Sequence, residues 1–154
     1  MNKRFRCVIA GWLLLMLCAC TGGTDEPHIR YYRLASGQSE NYLANQACQR
    51  FCDMVRRETD GAIQILPSFD NELGTDASAL EQCVYGGIDF VRTPISSAAA
   101  YAPQLVALQL PYEYTSDKHL FRVLDGAVGQ QVMASLKDKG LTGLSYFYAG
   151  YRCF

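Results

Sequence analysis

The stretch Phe51-Cys52-Asp53-Met54-Val55-Arg56-Arg57-Glu58-Thr59-Asp60-Gly61-Ala62-Ile63-Gln64-Ile65-Leu66 decides the fold class. Traced back to residue 41, its first part is helical. Ala44, Ala47, Cys48, Phe51, Cys52 and Val55 recur at the helical period, with Arg50, Arg57 and Glu58 on other faces. Asp60-Gly61 then ends the helix, because Gly61 can take left-handed backbone without a steric cost. Residues 62–66 are short and apolar and read as a strand, stopped by Pro67. A helix over 41–59 feeding such a strand is part of a βαβ unit.

Reading outward repeats the alternation. Residues 29–35 are aromatic and β-favouring, a first strand, and 36–40 are a polar loop. After the loop 68–75, Thr75 or Asp76 can cap a helix whose apolar face is Ala79, Leu80, Cys83 and Val84. Gly86-Gly87 closes it, and 88–93 reads as a third strand. A short turn at 96–102, an apolar segment at 105–110, helices at 117–124 and 129–139, and a last strand at 141–148 follow. The expected class is α/β, with a mostly parallel sheet and right-handed crossovers. Ligands of such sheets bind beyond the carboxyl ends of the strands, which singles out the loops 36–40, 68–76, 93–97 and 149–152.

The chain has 154 residues, 49% apolar and 19% charged, which fits a globular protein. Lys3, Arg4 and Arg6 precede an apolar run from Val8 to Cys20, shorter than the roughly 18 residues of a membrane span. This reads as a signal peptide over 1–19. The leader takes three of the 14 basic residues and none of the 15 acidic ones, so no basic surface remains and a nucleic-acid partner is disfavoured. The cut site Leu17-Cys18-Ala19-Cys20 resembles the bacterial lipobox, which implies lipidation of Cys20, and 20–28 would be a flexible tether. Cys7 and Cys18 leave with the leader.

Cys48, Cys52, Cys83 and Cys153 remain. Helix neighbours four apart hold their Cβ atoms about 5–6 Å apart, wider than the roughly 3.8 Å of a disulfide. Buried free thiols are therefore favoured. His28 and His119 stand alone, no phosphate loop or nucleophile elbow occurs, and no cysteine pair has zinc spacing. Asp70, Glu72 and Asp76 lack an EF-hand pattern and read as a solvated loop. There is no sequence case for an enzyme.

Several segments in order resemble the solute-binding receptors of TRAP transporters, the DctP family. They are the Val-x-x-x-Thr-x-Gly-x-Ile-x-Ile core from Val55 to Ile65; Leu73-Gly74-Thr75-Asp76; and Glu81-Gln82 followed by Gly86-Gly87-Ile88-Asp89. Next come Ala100-Tyr101-Ala102-Pro103; Leu110-Pro111-Tyr112; Val123-Leu124-Asp125-Gly126 with Gly129; and Gly150-Tyr151-Arg152. The resemblance implies a type II periplasmic-binding-protein fold, with 29–154 forming most of a first lobe and the second lobe absent. It implies an extracytoplasmic receptor that captures a small organic anion, a carboxylate, for ion-gradient-driven uptake by TRAP membrane permease subunits. It implies no cofactor and no metal. The setting would be the periplasm or the outer face of the cell envelope, membrane-anchored through Cys20.

The same resemblance nominates contact residues. Arg152, in the Gly-x-Arg position, can give a carboxylate a charge-assisted hydrogen bond. Asp76 sits where a ligand contact or a helix cap would sit. Gln38, Ser39 and Asn41 follow the first strand, and Thr93 follows the third. Packing is the favoured role of Tyr112 and Tyr151. Family members run to about twice the mature length, so the expectation is a truncated receptor. Its rivals are a short cell-envelope lipoprotein with a sensing or interaction role, and a non-functional remnant.

Overall fold

A computed structural model describes residues 28–150. The expected leader, the lipidation of Cys20, and the roles expected of Tyr151, Arg152 and Cys153 lie outside these residues. Strand β1 (Arg30–Ser36) leads to helix α1 (Leu43–Glu58), strand β2 (Ile63–Ser68), helix α2 (Asp76–Val84) and strand β3 (Phe90–Arg92). One turn, α3 (Ile95–Ala98), a 3-10 segment (Pro103–Gln109), helices α4 (Asp117–Asp125) and α5 (Ala127–Ala134) and a 3-10 turn (Lys137–Lys139) follow.

The sheet is parallel, in the order β2-β1-β3. The crossover from β1 to β2 runs one way across the sheet, and that from β2 to β3 runs back. Right-handed crossovers in opposite directions put α1 and α2 on opposite faces. The alternating side chains of β1 agree with this. Leu34 packs with Cys48 and Cys52 of α1 and with Ile65 and Phe69. Its neighbour Ala35 packs with Ala79 of α2 and with Ile88. A third cluster joins Leu80 to Leu105, Leu108, Leu120, Leu124, Val132, Leu136 and Leu141.

Local chemistry sets the boundaries. Asp60 and Gly61 both take positive φ, at 49° and 82°, and turn α1 into β2. Thr75, rather than Asp76, caps α2, accepting a bond from the Ser78 amide at 3.3 Å. Pro67 does not stop β2: it continues to Ser68, with Pro67 registered against Leu34. Because β2 pairs only with β1 in this order, its outer side can carry a residue with no N–H.

Two C-terminal expectations are corrected. The helix over 129–139 is shorter, ending at Ala134 and tightening into the 3-10 turn. There the Ser135 amide and hydroxyl both reach back to the Val132 carbonyl, at 3.2 and 2.6 Å. The strand over 141–148 does not form. A strand is defined by its ladder, and within the described residues this segment joins none. Side chains hold it instead. Leu141 is buried, the Tyr146 hydroxyl donates to the Gly129 carbonyl at 2.8 Å, and the Tyr148 hydroxyl donates to Asp117 Oδ1 at 3.1 Å.

Candidate functional site

The strand order itself selects an edge. With β1 central and its flanking strands reached in opposite directions, the chain diverges between β1 and β3. In an open α/β sheet the crevice beyond the carboxyl ends at such a point is where ligands settle. Here those ends are Ser36 and Arg92, which face each other in register. The loops after β1, β2 and β3, and the first turns of α1 and α2, gather at this edge.

A small polar network fixes the loops. The Gln38 carbonyl accepts from the Asp70 amide at 3.0 Å and from Asn45 Nδ2 at 2.9 Å. The same Asn45 nitrogen also donates to the Ser39 carbonyl at 2.9 Å. Asn45 is fully buried, at 0% exposure, in the first turn of α1. The Gly37 amide donates to Asp76 Oδ1 at 3.2 Å, tying the first loop to the start of α2. Gly37 has no room for a side chain, because a Cβ there would lie 2.6 Å from Asp76 Oδ1 and 2.7 Å from Asn71 Oδ1.

Five of the nominated residues, Gln38, Ser39, Asn41, Asp76 and Thr93, fall on this edge. Asp76 is half-buried and already engaged by Gly37. The side chains of Gln38 and Asn41 are exposed on the first loop. Thr93 is half-buried, and its Oγ1 is buried without a hydrogen-bond partner. Asp70, Glu72 and Asp76 do not form a metal-binding group among the described residues.

Sequence reasoning missed Asn45, Tyr42 and Arg92. Asn45 had a signal: it lies on the stripe of Cys48 and Cys52, where a polar residue needs a specific partner. Arg92 had a fainter one, a charge on the same face of β3 as Phe90. In the structure its guanidinium lies over the Tyr42 ring, 4.9 Å from the centroid. Its Nη1 is buried and without an acceptor.

Beneath this edge Cys48 and Cys52 are buried and, like Cys83, free. Burial raises the Cys48 thiol pKa, partly countered by the Arg92 charge. Burial raises Cys52 to about 11, with Cys48 and Asp53 adding to the rise. Neither is poised as a thiolate nucleophile. A recess lined by Arg50, Asp53, Met54, Arg56 and Arg57 sits on the flank of α1. It lies toward the amino ends of the strands, away from the gathered loops.

The model of the bacterial extracellular solute-binding proteins, family 7 (DctP), matches residues 34–154. The 2,3-diketo-L-gulonate-binding periplasmic protein YiaO of Escherichia coli is 33% identical over 69% of this chain and 32% of its own length. The C4-dicarboxylate-binding protein DctB of Bacillus subtilis is 29% identical over 74% of this chain and 33% of its own. Among solved structures, a TRAP periplasmic solute-binding protein from Xanthobacter autotrophicus with bound β-D-galacturonate superposes with a TM-score of 0.72 at 30% identity. That match covers 75% of this chain and 39% of the other. The chain spans less than half the length of the curated relatives it matches, 44% and 46% of two that align over nearly all of it.

Proposed function

We propose a function from one premise: the chain belongs to the bacterial extracellular solute-binding proteins of family 7. It supplies the lobe of an extracytoplasmic receptor that captures a small organic acid at the carboxyl ends of β1 and β3. The acid is then delivered to a TRAP membrane permease. Membership in this family speaks for a receptor rather than an enzyme. Cys20 carries the acyl anchor that holds the receptor at the cell envelope.

The observation that supports this most is the coincidence of a β1/β3 divergence point with unanswered polar atoms on Arg92 and Thr93. Relatives named for a C4-dicarboxylate and for 2,3-diketo-L-gulonate support an organic acid as the ligand class. Asp76 acts here as a positioning residue, holding Gly37 and with it the loop. Gln38, Asn41 and Thr93 face the ligand, and Arg152 contributes from beyond the described residues.

The test is thermal stabilisation of the full chain by a panel of dicarboxylates and uronates, with the neutral sugars as controls. At least one acid raises the melting temperature in proportion to the logarithm of its concentration, and the neutral sugars do not. A panel with no responding acid would refute the reading. Labelling with a radioactive fatty acid tests the anchor: the wild type incorporates it, and Cys20→Ser does not.

A further inference from the structure

Among the described residues, Arg92 is the charged side chain that holds a buried nitrogen without a hydrogen-bond partner. It closes β3 on the face that carries Phe90, which packs edge-on against Phe51 of α1 at 5.7 Å and Tyr32 at 6.3 Å. Strand alternation therefore directs Arg92 into the α1 layer. There its guanidinium lies over the Tyr42 ring, and its Nη1 is buried without an acceptor. A charged donor buried without a partner is more costly than a neutral one, so such a group persists where something answers it.

The surroundings add positive potential. Tyr42 is the N-cap of the sixteen-residue α1 and provides no side-chain cap, and the first turn has no acidic residue. The first amides of a helix have no intrahelical acceptor, and that end carries partial positive charge. The ion pair found among the described residues, Arg56–Asp53, is at the other end of α1. A guanidinium with a buried, unpaired nitrogen and a bare helix start thus meet at the β1/β3 crevice, and among the described residues no carboxylate forms an ion pair with Arg92. The Arg92 charge is also close enough to pull the Cys48 thiol against its burial.

We infer that Arg92, with the Leu43 and Ala44 amides of α1 as co-donors, holds a carboxylate of the ligand on this lobe. The inference rests on the receptor reading above and adds to it. The guanidinium fork suits two carboxylate oxygens. The contact with the Tyr42 ring restrains the guanidinium before the ligand arrives, which lowers the entropy lost on binding.

The experiment is a titration of the isotope-labelled full chain, followed by NMR at the Arg92 side chain and the Leu43 and Ala44 amides. The probes are succinate, its neutral analogue succinamide, and inorganic phosphate. Succinate shifts all three groups, and succinamide at equal concentration does not. Arg92→Met weakens succinate about 10- to 100-fold. Arg92→Lys, which keeps the charge without the fork, loses less and carries the test should the Met variant fail to fold. If succinate raises the melting temperature but leaves these groups unmoved, the inference falls and the receptor reading stands. If phosphate moves them and no carboxylate has any effect, both the ligand class and the receptor reading fall. If no probe moves them, the inference is overturned.

Discussion

The two halves of the described chain are held together by different means. From β1 to β3 the backbone does the work: strands pair in parallel, and each helix covers one face. From α4 to residue 150 side chains do it: two short helices pack on each other, and an extended segment lies against them through two tyrosine hydroxyls. The first half presents its loops at a crevice. Both halves leave apolar groups exposed, Leu43 at 76% in the first and Leu144 at 69% in the second. Backbone pairing makes a fold tolerant of side-chain change, whereas side-chain packing makes it sensitive to single atoms.

The largest expected effect therefore lies in the second half. A Cβ on Gly129 would collide with the Leu124 backbone carbonyl, which no rotamer change can relieve. Gly129→Ala should cost about 3 kcal/mol, the upper part of the usual range for overpacking. Urea unfolding measures it, and an unchanged midpoint would break the contrast. Next comes Asn45→Ala, which strips a buried donor from the Gln38 and Ser39 carbonyls. It should cost about 2 kcal/mol and speed amide exchange in the loops around β1, leaving 141–150 unaffected.

The pH response belongs to the first half. Cys52 ionises near 9.0 when unfolded and near 11 when folded. Above pH 9 the unfolded thiol loses its proton while the folded one keeps it, so stability is full below 9 and falls toward 11. The unfolding midpoint should drop across that window, and Cys52→Val should flatten the drop. Tyr146→Phe removes one hydroxyl bond to the Gly129 carbonyl. It should cost about 1 kcal/mol, and hydrogen exchange should localise the loosening to 141–148. The smallest effect is at Arg56–Asp53, 3.3 Å apart with both side chains mostly exposed. Arg56→Ala should change stability by less than about 0.5 kcal/mol.

The same contrast explains what the sequence could convey. The helix over Leu43–Glu58 and the turn at Asp60-Gly61 were legible because period and glycine chemistry are local. The expected strand over 141–148 had the right composition, but a strand needs a ladder, and composition does not supply a partner. Pro67 misled for the opposite reason. Its lack of an N–H reads as a stop, and only the strand order shows that β2 can accommodate it. At the candidate site, the loops were legible from the rule about strand ends, and Asp76 and Thr93 with them. Arg92 was not, because its significance is an empty donor above a ring six residues into another element's approach, a relation that no spacing encodes. Asn45 lay between these cases, visible as a polar residue on an apolar stripe but not as the residue that holds two loop carbonyls.

Hydrogen exchange of the full chain with and without a responding carboxylate tests the placement of the site most directly. The expected result is slowed exchange concentrated after β1, in the first turn of α1, and at residues 92–95, with α4, α5 and 141–150 unchanged. Protection confined to 117–150, or stabilisation by the acid with no protection at the β1/β3 edge, would contradict it.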